Sequence, residues 1–194
     1  LLRDLDWKAL IRKRILDPSA GKGDILEQVK VVLDDTYDHR RNELYAIEID
    51  PNLRAVLTEK GFRVIDSDFL SYSGHWYFDY IFMNPPFKDG AKHLLKAWQI
   101  ANGATIRCLL NSATLQNINT REREELRVII ERYGRCEELG PVFKGAERST
   151  DVEVSLVALV DSRQREHFRL KFDPQTRGGD KFGMGGIEPK EMVS

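Results

Sequence analysis

The run Asp17-Pro18-Ser19-Ala20-Gly21-Lys22-Gly23-Asp24 constrains the fold of this chain more than any other segment. Ahead of it, Ile11 to Leu16 reads as a short strand. Behind it, apolar residues from Ile25 to about Leu33 recur at helical spacing. A strand, a glycine-rich turn and a helix make the opening unit of a doubly wound α/β sheet. The glycines permit a tight turn and close backbone approach by a ligand. A phosphate-cradling P-loop needs Ser or Thr after its lysine, and Lys22 is followed by Gly23. A dinucleotide fingerprint is weakened rather than excluded, because Leu26 stands where its third glycine would allow close helix–strand packing. The ligand that remains is a nucleoside with a cationic amino-acid tail and no phosphate. Asp17 and Asp24, which bracket the loop, suit such a tail better than a pyrophosphate.

Two further acids follow in the order such a ligand needs. Leu44 to Asp50 reads as a second strand containing Glu48, and a carboxylate at the end of strand two conventionally accepts the ribose hydroxyls. Phe62 to Ile65 reads as a third strand, with Asp66-Ser67-Asp68-Phe69-Leu70 behind it. Asp68 is placed to accept an adenine amino group, with Phe69 near the ring. Taken singly, each acid is better read as the cap of a helix or turn; their order and spacing along the chain favour the ligand reading.

Asn84-Pro85-Pro86-Phe87 closes a fourth strand, Phe78 to Met83. Two prolines cannot continue a strand, because each removes a ladder donor and fixes φ. The chain therefore leaves the sheet at Asn84 in a stiff loop that aims an amide, a carbonyl and an aromatic ring at one point. That set suits a reaction on a planar nitrogen. An exocyclic amine donating one N–H to the Asn84 side-chain oxygen and one to the Pro85 carbonyl is drawn towards tetrahedral geometry. Its lone pair is then free to attack an electrophilic methyl group, and no ionised base is needed first. Phe87 would stack on a base flipped out of any duplex.

With these loops in this order, the chain resembles the class I S-adenosylmethionine-dependent methyltransferases, and more narrowly the DNA adenine amino-methylases. These carry an Asp-Pro-x-x-Gly-x-Gly loop, an acid after strand two, an acid after strand three and an Asn/Asp-Pro-Pro-Tyr/Phe loop after strand four. The first loop is also similar to methylase-like proteins of phages and mobile elements. The resemblance implies cofactor contacts from Asp17, Pro18, Ser19, Ala20, Gly21, Gly23 and Asp24. It places Glu48 and Ile49 at the ribose, Asp68 and Phe69 at the cofactor adenine, and Asn84 between cofactor and target. It implies a catalytic loop of Asn84, Pro85, Pro86 and Phe87, with S-adenosylhomocysteine as the spent cofactor. It also implies an α/β, doubly wound, Rossmann-like methyltransferase fold, with an antiparallel strand seven inserted to give sheet order 3-2-1-4-5-7-6. Similar Asn-Pro-Pro loops methylate ribosomal RNA bases or the glutamine amide of release factors, so the motif leaves the target open. A catalytically silent fold that binds nucleic acid or a partner is a further alternative, though it has no chemical need for the intact loop set.

The remaining segments fit that architecture. Lys88 to Ala101 is helical, with Trp98 in packing; Ala104 to Leu110 is strand five, burying Cys108. A charged helix runs from Thr120 to Tyr133, and strands six and seven follow as Arg135–Phe143 and Val152–Val160. Between them, Lys144 to Asp151 reads as a solvated hairpin loop, the alternative being contact of Lys144 or Arg148 with a nucleic-acid phosphate. Thr36 to Asn42 is a polar loop, and Trp76-Tyr77-Phe78 reads as packing ahead of strand four. The expected organisation is a methyltransferase domain over 1–172 and a glycine-rich tail over 173–194.

With 194 residues, 41% hydrophobic and 31% charged, the chain suits one soluble domain. No apolar run approaches the ~20 residues of a membrane span. The net charge of −1 argues against non-specific nucleic-acid binding by the whole surface but allows a local basic face. Arg3, Lys8, Arg12, Lys13 and Arg14 form the densest cluster, diluted by Asp4 and Asp6. Two lone cysteines, Cys108 and Cys136, suit a reducing cytoplasm. His39, His75, His93 and His167 share no metal-ligand spacing, so no metal site is expected. The start at Leu1 and the short gaps between elements suggest a fragment without a large target-recognition domain. Readout of DNA, the expected partner, would then fall to loops, a missing segment or a partner subunit.

Overall fold

A computed structural model describes residues 1–34, 43–142 and 152–163. The loops expected over 36–42 and 144–151, the tail over 173–194, and His39 and His167 lie outside the described residues. After a 3-10 turn over Trp7–Leu10, β1 (Arg14–Asp17) leads through the glycine loop into α1 (Asp24–Asp34). Next come β2 (Glu43–Ile47), α2 (Pro51–Glu59), β3 (Arg63–Asp66) and β4 (Tyr80–Met83). A 3-10 turn over Phe87–Asp89 opens α3 (Gly90–Ile100), followed by β5 (Thr105–Asn111), α4 (Ser112–Gln116), α5 (Arg121–Tyr133), β6 (Gly134–Gly140) and β7 (Val154–Val160).

The seven strands form one sheet in the order β3-β2-β1-β4-β5-β7-β6. Strands β1 to β5 are parallel, and β7 is antiparallel to both β5 and β6. This is the fold expected from the sequence. Strand order reverses between β1 and β4, which pair directly through Ile15↔Tyr80 and Leu16↔Ile81. Loops leaving the carboxyl ends of those two strands therefore diverge and open a crevice.

The central strands are apolar on both faces because both faces are covered. Ile15 and Phe82 pack with Leu10, Leu26, Val29, Leu57 and Phe62 on one face. Leu16, Ile81 and Met83 pack with Leu94 and Trp98 on the other. Each such side chain contributes about 1.5–3 kcal/mol when fully buried. Trp98 stacks on Tyr133 of α5 with ring centroids 4.9 Å apart, and the Arg163 guanidinium lies 4.2 Å from its ring centre. Trp98 and Cys108 are core residues, as expected.

Several boundaries differ from the sequence reading. The first strand starts at Arg14 rather than Ile11, because residues 7–10 form a 3-10 turn and Arg12 takes a left-handed φ of 62°. Strand two ends at Ile47, which leaves Glu48 on the following loop. Strand six ends at Gly140 rather than Phe143. Helix α2 had not been read, although Asp50 caps it by accepting the Asn52 N–H at 2.8 Å and Pro51 supplies its fixed φ at the first turn. Thr120 caps α5 through the Arg123 N–H. Between β3 and β4 no helix forms; residues 67–79 cross the sheet as an irregular strap that buries Phe69, Tyr72 and Phe78. In that strap Phe78 is buried, while Trp76 and Tyr77 are exposed and Trp76 leans on Tyr45 at 5.2 Å.

Gly23 explains the tightness of the first turn. Its φ is 91°, and a Cβ there would meet Leu57 and Phe62 at 2.9 Å, whereas one at Gly21 would meet nothing within 4 Å. Gly23→Ala is expected to lower stability by roughly 2–3 kcal/mol, from conformational strain and overpacking together. Gly21→Ala, which adds strain alone, should lower it by about 1 kcal/mol. Urea denaturation of both variants checks the difference; equal losses would contradict the packing role.

Candidate functional site

A cavity of about 680 Å³ opens at the carboxyl edge of the parallel strands. Its volume falls within the ~300–1,000 Å³ of small-molecule sites. One wall comes from the loop after β1 (Pro18, Ser19, Gly21) and from Ile47, Glu48 and Ile49 at the end of β2. Ser67, Asp68, Phe69 and Leu70 of the strap form a second wall. The third is Asn84, Pro85, Pro86 and Phe87 after β4, continued by Lys88, Asp89 and His93. The loop set read from sequence thus converges on one space, because β1, β2, β3 and β4 are consecutive neighbours around the switch point.

Glu48 ties the first wall together. It is 9% exposed; Oε2 accepts the Gly21 N–H at 2.7 Å and Oε1 accepts the Asp50 N–H at 2.9 Å. The Ala20 N–H also donates to the Ile47 carbonyl at 3.1 Å. The glycine loop is thereby latched to the end of β2. Each carboxylate oxygen keeps acceptor capacity beyond its one backbone N–H. Glu48 therefore both caps a turn and presents a carboxylate to the cavity. Asp68 is similar: Oδ1 accepts the Leu70 N–H at 2.9 Å, and the residue lines the cavity. Phe69 beside it is buried, and its ring lies 5.9 Å from that of His93.

Not every anticipated cofactor residue reaches the cavity wall. Asp17, Ala20, Gly23 and Asp24 do not line it. Asp24 is exposed at the start of α1, and Gly23 packs inward against Leu57 and Phe62. Asp17 is fully buried beneath the loop, where Oδ1 accepts the Ser19 N–H at 3.1 Å and Oδ2 has no partner. Burial pushes its carboxyl up to about 7 against the opposing Ser19 hydrogen bond, with the charges of Glu48 and Asp24 adding to the rise.

Asn84 lines the cavity, and its side chain shares no hydrogen bond with another described residue. Its amide is available to a ligand. Lys88, Asp89 and His93 are wall residues that sequence reasoning missed. His93 had been weighed only as a metal ligand, yet its position four residues after Asp89 on a helix starting at the Asn-Pro-Pro loop was a usable signal. Among the described residues no group of three or more His, Cys, Asp or Glu is placed to hold a metal ion. No described helix is long and apolar enough to cross a membrane.

The family model of the methyltransferase small domain matches residues 1–142. The chain belongs to that family. No curated protein matches its sequence. Among solved structures, Thermoplasma acidophilum 1320 is 19% identical over 78% of this chain and 76% of its own, with a TM-score of 0.52. The 23S rRNA methyltransferase ErmE is 14% identical over 90% of this chain and 76% of its own, with a TM-score of 0.54. A modification subunit assigned to a type I restriction enzyme from Vibrio vulnificus YJ016 is 15% identical, with a TM-score of 0.59. That match covers 77% of this chain but 40% of the subunit. At these identities the likeness establishes the fold. Class I methyltransferases of this fold use S-adenosylmethionine, and the residues present fit it: an acid pair for a nucleoside, apolar Ile49 and Phe69 beside it, and no phosphate cradle.

Asp17 sets a pH dependence of stability. Below its ordinary pKa of 3.8 the carboxyl is neutral in folded and unfolded chains alike. Between there and about 7 the unfolded chain releases the proton and the folded chain keeps it, so stability falls as pH rises, then levels off. Asp17→Asn keeps the acceptor for Ser19 and removes this penalty. It should gain roughly 2–4 kcal/mol at about pH 8 and almost nothing near pH 4. Denaturant titrations at the two pH values decide; an equal gain at both would contradict the buried-carboxyl account.

Proposed function

We propose that the chain transfers a methyl group from S-adenosylmethionine to the exocyclic amino group of adenine in DNA. The observation that carries this reading is that Asn84, whose side-chain amide has no hydrogen bond to a described residue, lines the same cavity as Glu48. S-adenosylmethionine, when bound, supplies an electrophilic methyl group on a sulfonium centre. Glu48 would hold the ribose hydroxyls and Asp68 the adenine amine, while Ile49 and Phe69 flank the ring. The cavity-facing part of the glycine loop, Pro18 to Gly21, would take the amino-acid end. Asp17, Ala20, Gly23 and Asp24 support that loop from beneath and beside it in this reading.

Asn84 and Pro85 act on the target. Their two carbonyl oxygens accept the two N–H bonds of the amine and turn its lone pair out of the ring. Acceptors held by a stiff loop before reaction would need little reorganisation as charge develops. Pro86 keeps the loop stiff, and Phe87 stacks on the extruded base. The catalytic unit in this reading is 1–172, with 173–194 as a tail. Target readout would come from loops, further sequence or a partner subunit.

Of the three solved structures named above, one is a 23S rRNA methyltransferase and one a restriction-enzyme modification subunit, so the assay runs DNA and RNA together. Labelled methyl transfer to duplex DNA, RNA and release-factor protein, followed by nucleoside analysis, should give methyladenine in DNA. Label confined to RNA or protein would overturn the DNA assignment. S-adenosylhomocysteine at about a hundredfold its Kd should stabilise the chain by about 2.7 kcal/mol. Asn84→Ala should keep that stabilisation and lose transfer by at least ~10²-fold. Undiminished transfer by this variant would refute the proposed amine geometry.

A further inference from the structure

The Asn84–Phe87 loop leaves one proton unaccounted for. In the proposed reaction the amine nitrogen forms a bond to the methyl carbon, and the electron pair of the broken carbon–sulfur bond stays on sulfur. The nitrogen then carries a positive charge and one proton too many. Its two hydrogen-bond partners, an amide oxygen and a peptide carbonyl, are neutral acceptors too weakly basic to hold that proton.

The titratable groups on the cavity wall can be taken in turn. Glu48 accepts two backbone N–H bonds and Asp68 one, and both belong to the walls that the proposed function gives to the cofactor. Lys88 has no acceptor when charged. The Asp89 carboxylate faces Lys88 at 3.8 Å and Lys92 at 4.0 Å. His93 is different. Its Nδ1 lies 3.0 Å from the Asp89 backbone oxygen, which can only accept, so Nδ1 carries the hydrogen in the neutral ring. The other nitrogen, Nε2, is then the one with a lone pair. The Phe69 ring, 5.9 Å away and tilted by 35°, packs beside the imidazole. The helix that carries His93 begins against the loop itself: a Cβ at Gly90 would sit 4.0 Å from Pro85 Cγ. The contacts of the ring are thus the Asp89 carbonyl and the Phe69 ring, and Asp68, Lys88 and Asp89 share the cavity with it.

We propose that His93 is the proton acceptor of this site, its Nε2 taking the proton that the methylated amine must shed. The step balances: the nitrogen–hydrogen bond breaks with its electron pair returning to nitrogen, Nε2 gains the proton, and the imidazolium later releases it to water. This role rests on the methyl-transfer reading above.

Two measurements test it. In the free protein, ¹⁵N spectra of labelled histidine should show His93 as the Nδ1–H tautomer; an Nε2–H tautomer would overturn the proposal without any assay. In turnover with adenine-containing duplex and single-stranded DNA, His93→Asn retains a donor for Asp89 but loses the distal base. Its kcat should fall about 10²-fold with KM, S-adenosylhomocysteine affinity and melting temperature unchanged. Free imidazole should restore part of the rate of His93→Ala. Undiminished kcat in His93→Asn, beside an active unaltered chain, sinks the His93 role alone. No transfer by the unaltered chain to any substrate sinks the methyl-transfer reading and this inference with it.

Discussion

The pairing of β1 with β4 governs everything at the cavity. Only two residue pairs, Ile15↔Tyr80 and Leu16↔Ile81, define that contact. Yet it brings together two loops separated by more than sixty positions, 17–24 and 84–89. Their residues cannot converge unless Ile15 and Phe82 are buried on one face and Leu16 and Ile81 on the other. The site is therefore a by-product of core packing at the centre of the sheet, where the chain is least able to yield. The Glu48–Gly21 hydrogen bond then adds β2 to the same assembly.

Much of this was readable without coordinates, for a physical reason. Buried parallel strands are short apolar runs ended by turn residues, and here each end carries chemistry: Asp17-Pro18, Glu48, Asp68, Asn84-Pro85. Sheet order and the antiparallel β7 followed from the family pattern to which those ends belong. Helix α2 escaped because its exposed, mixed surface has a weak apolar stripe and its start signal is only Asp50-Pro51. The strap over 67–79 escaped because it has no period; its aromatic residues are buried one by one rather than as a face. Nor could spacing show that Asp17 and Gly23 support the loop from below while Pro18, Ser19 and Gly21 line the cavity. Within a tight turn, neighbouring residues point in opposite directions, and only packing against Leu57 and Phe62 decides which.

The two halves of the cavity differ in charge, and the difference suits their proposed tasks. The wall of Glu48 and Asp68 is acidic, while Asn84 and Pro85 offer neutral carbonyls. A carboxylate in place of Asn84, which the family pattern also allows, would bring a charge to that wall. It would also need desolvation before any amine could approach. A neutral amide avoids both, at the expense of basicity. A base on α3, as proposed for His93, would separate the orientation of the lone pair from disposal of the proton. The buried Asp17 fits the same economy of charge. Burial pushes its carboxyl up to about 7, so near neutral pH it carries less negative charge under the first loop than an ordinary carboxylate would.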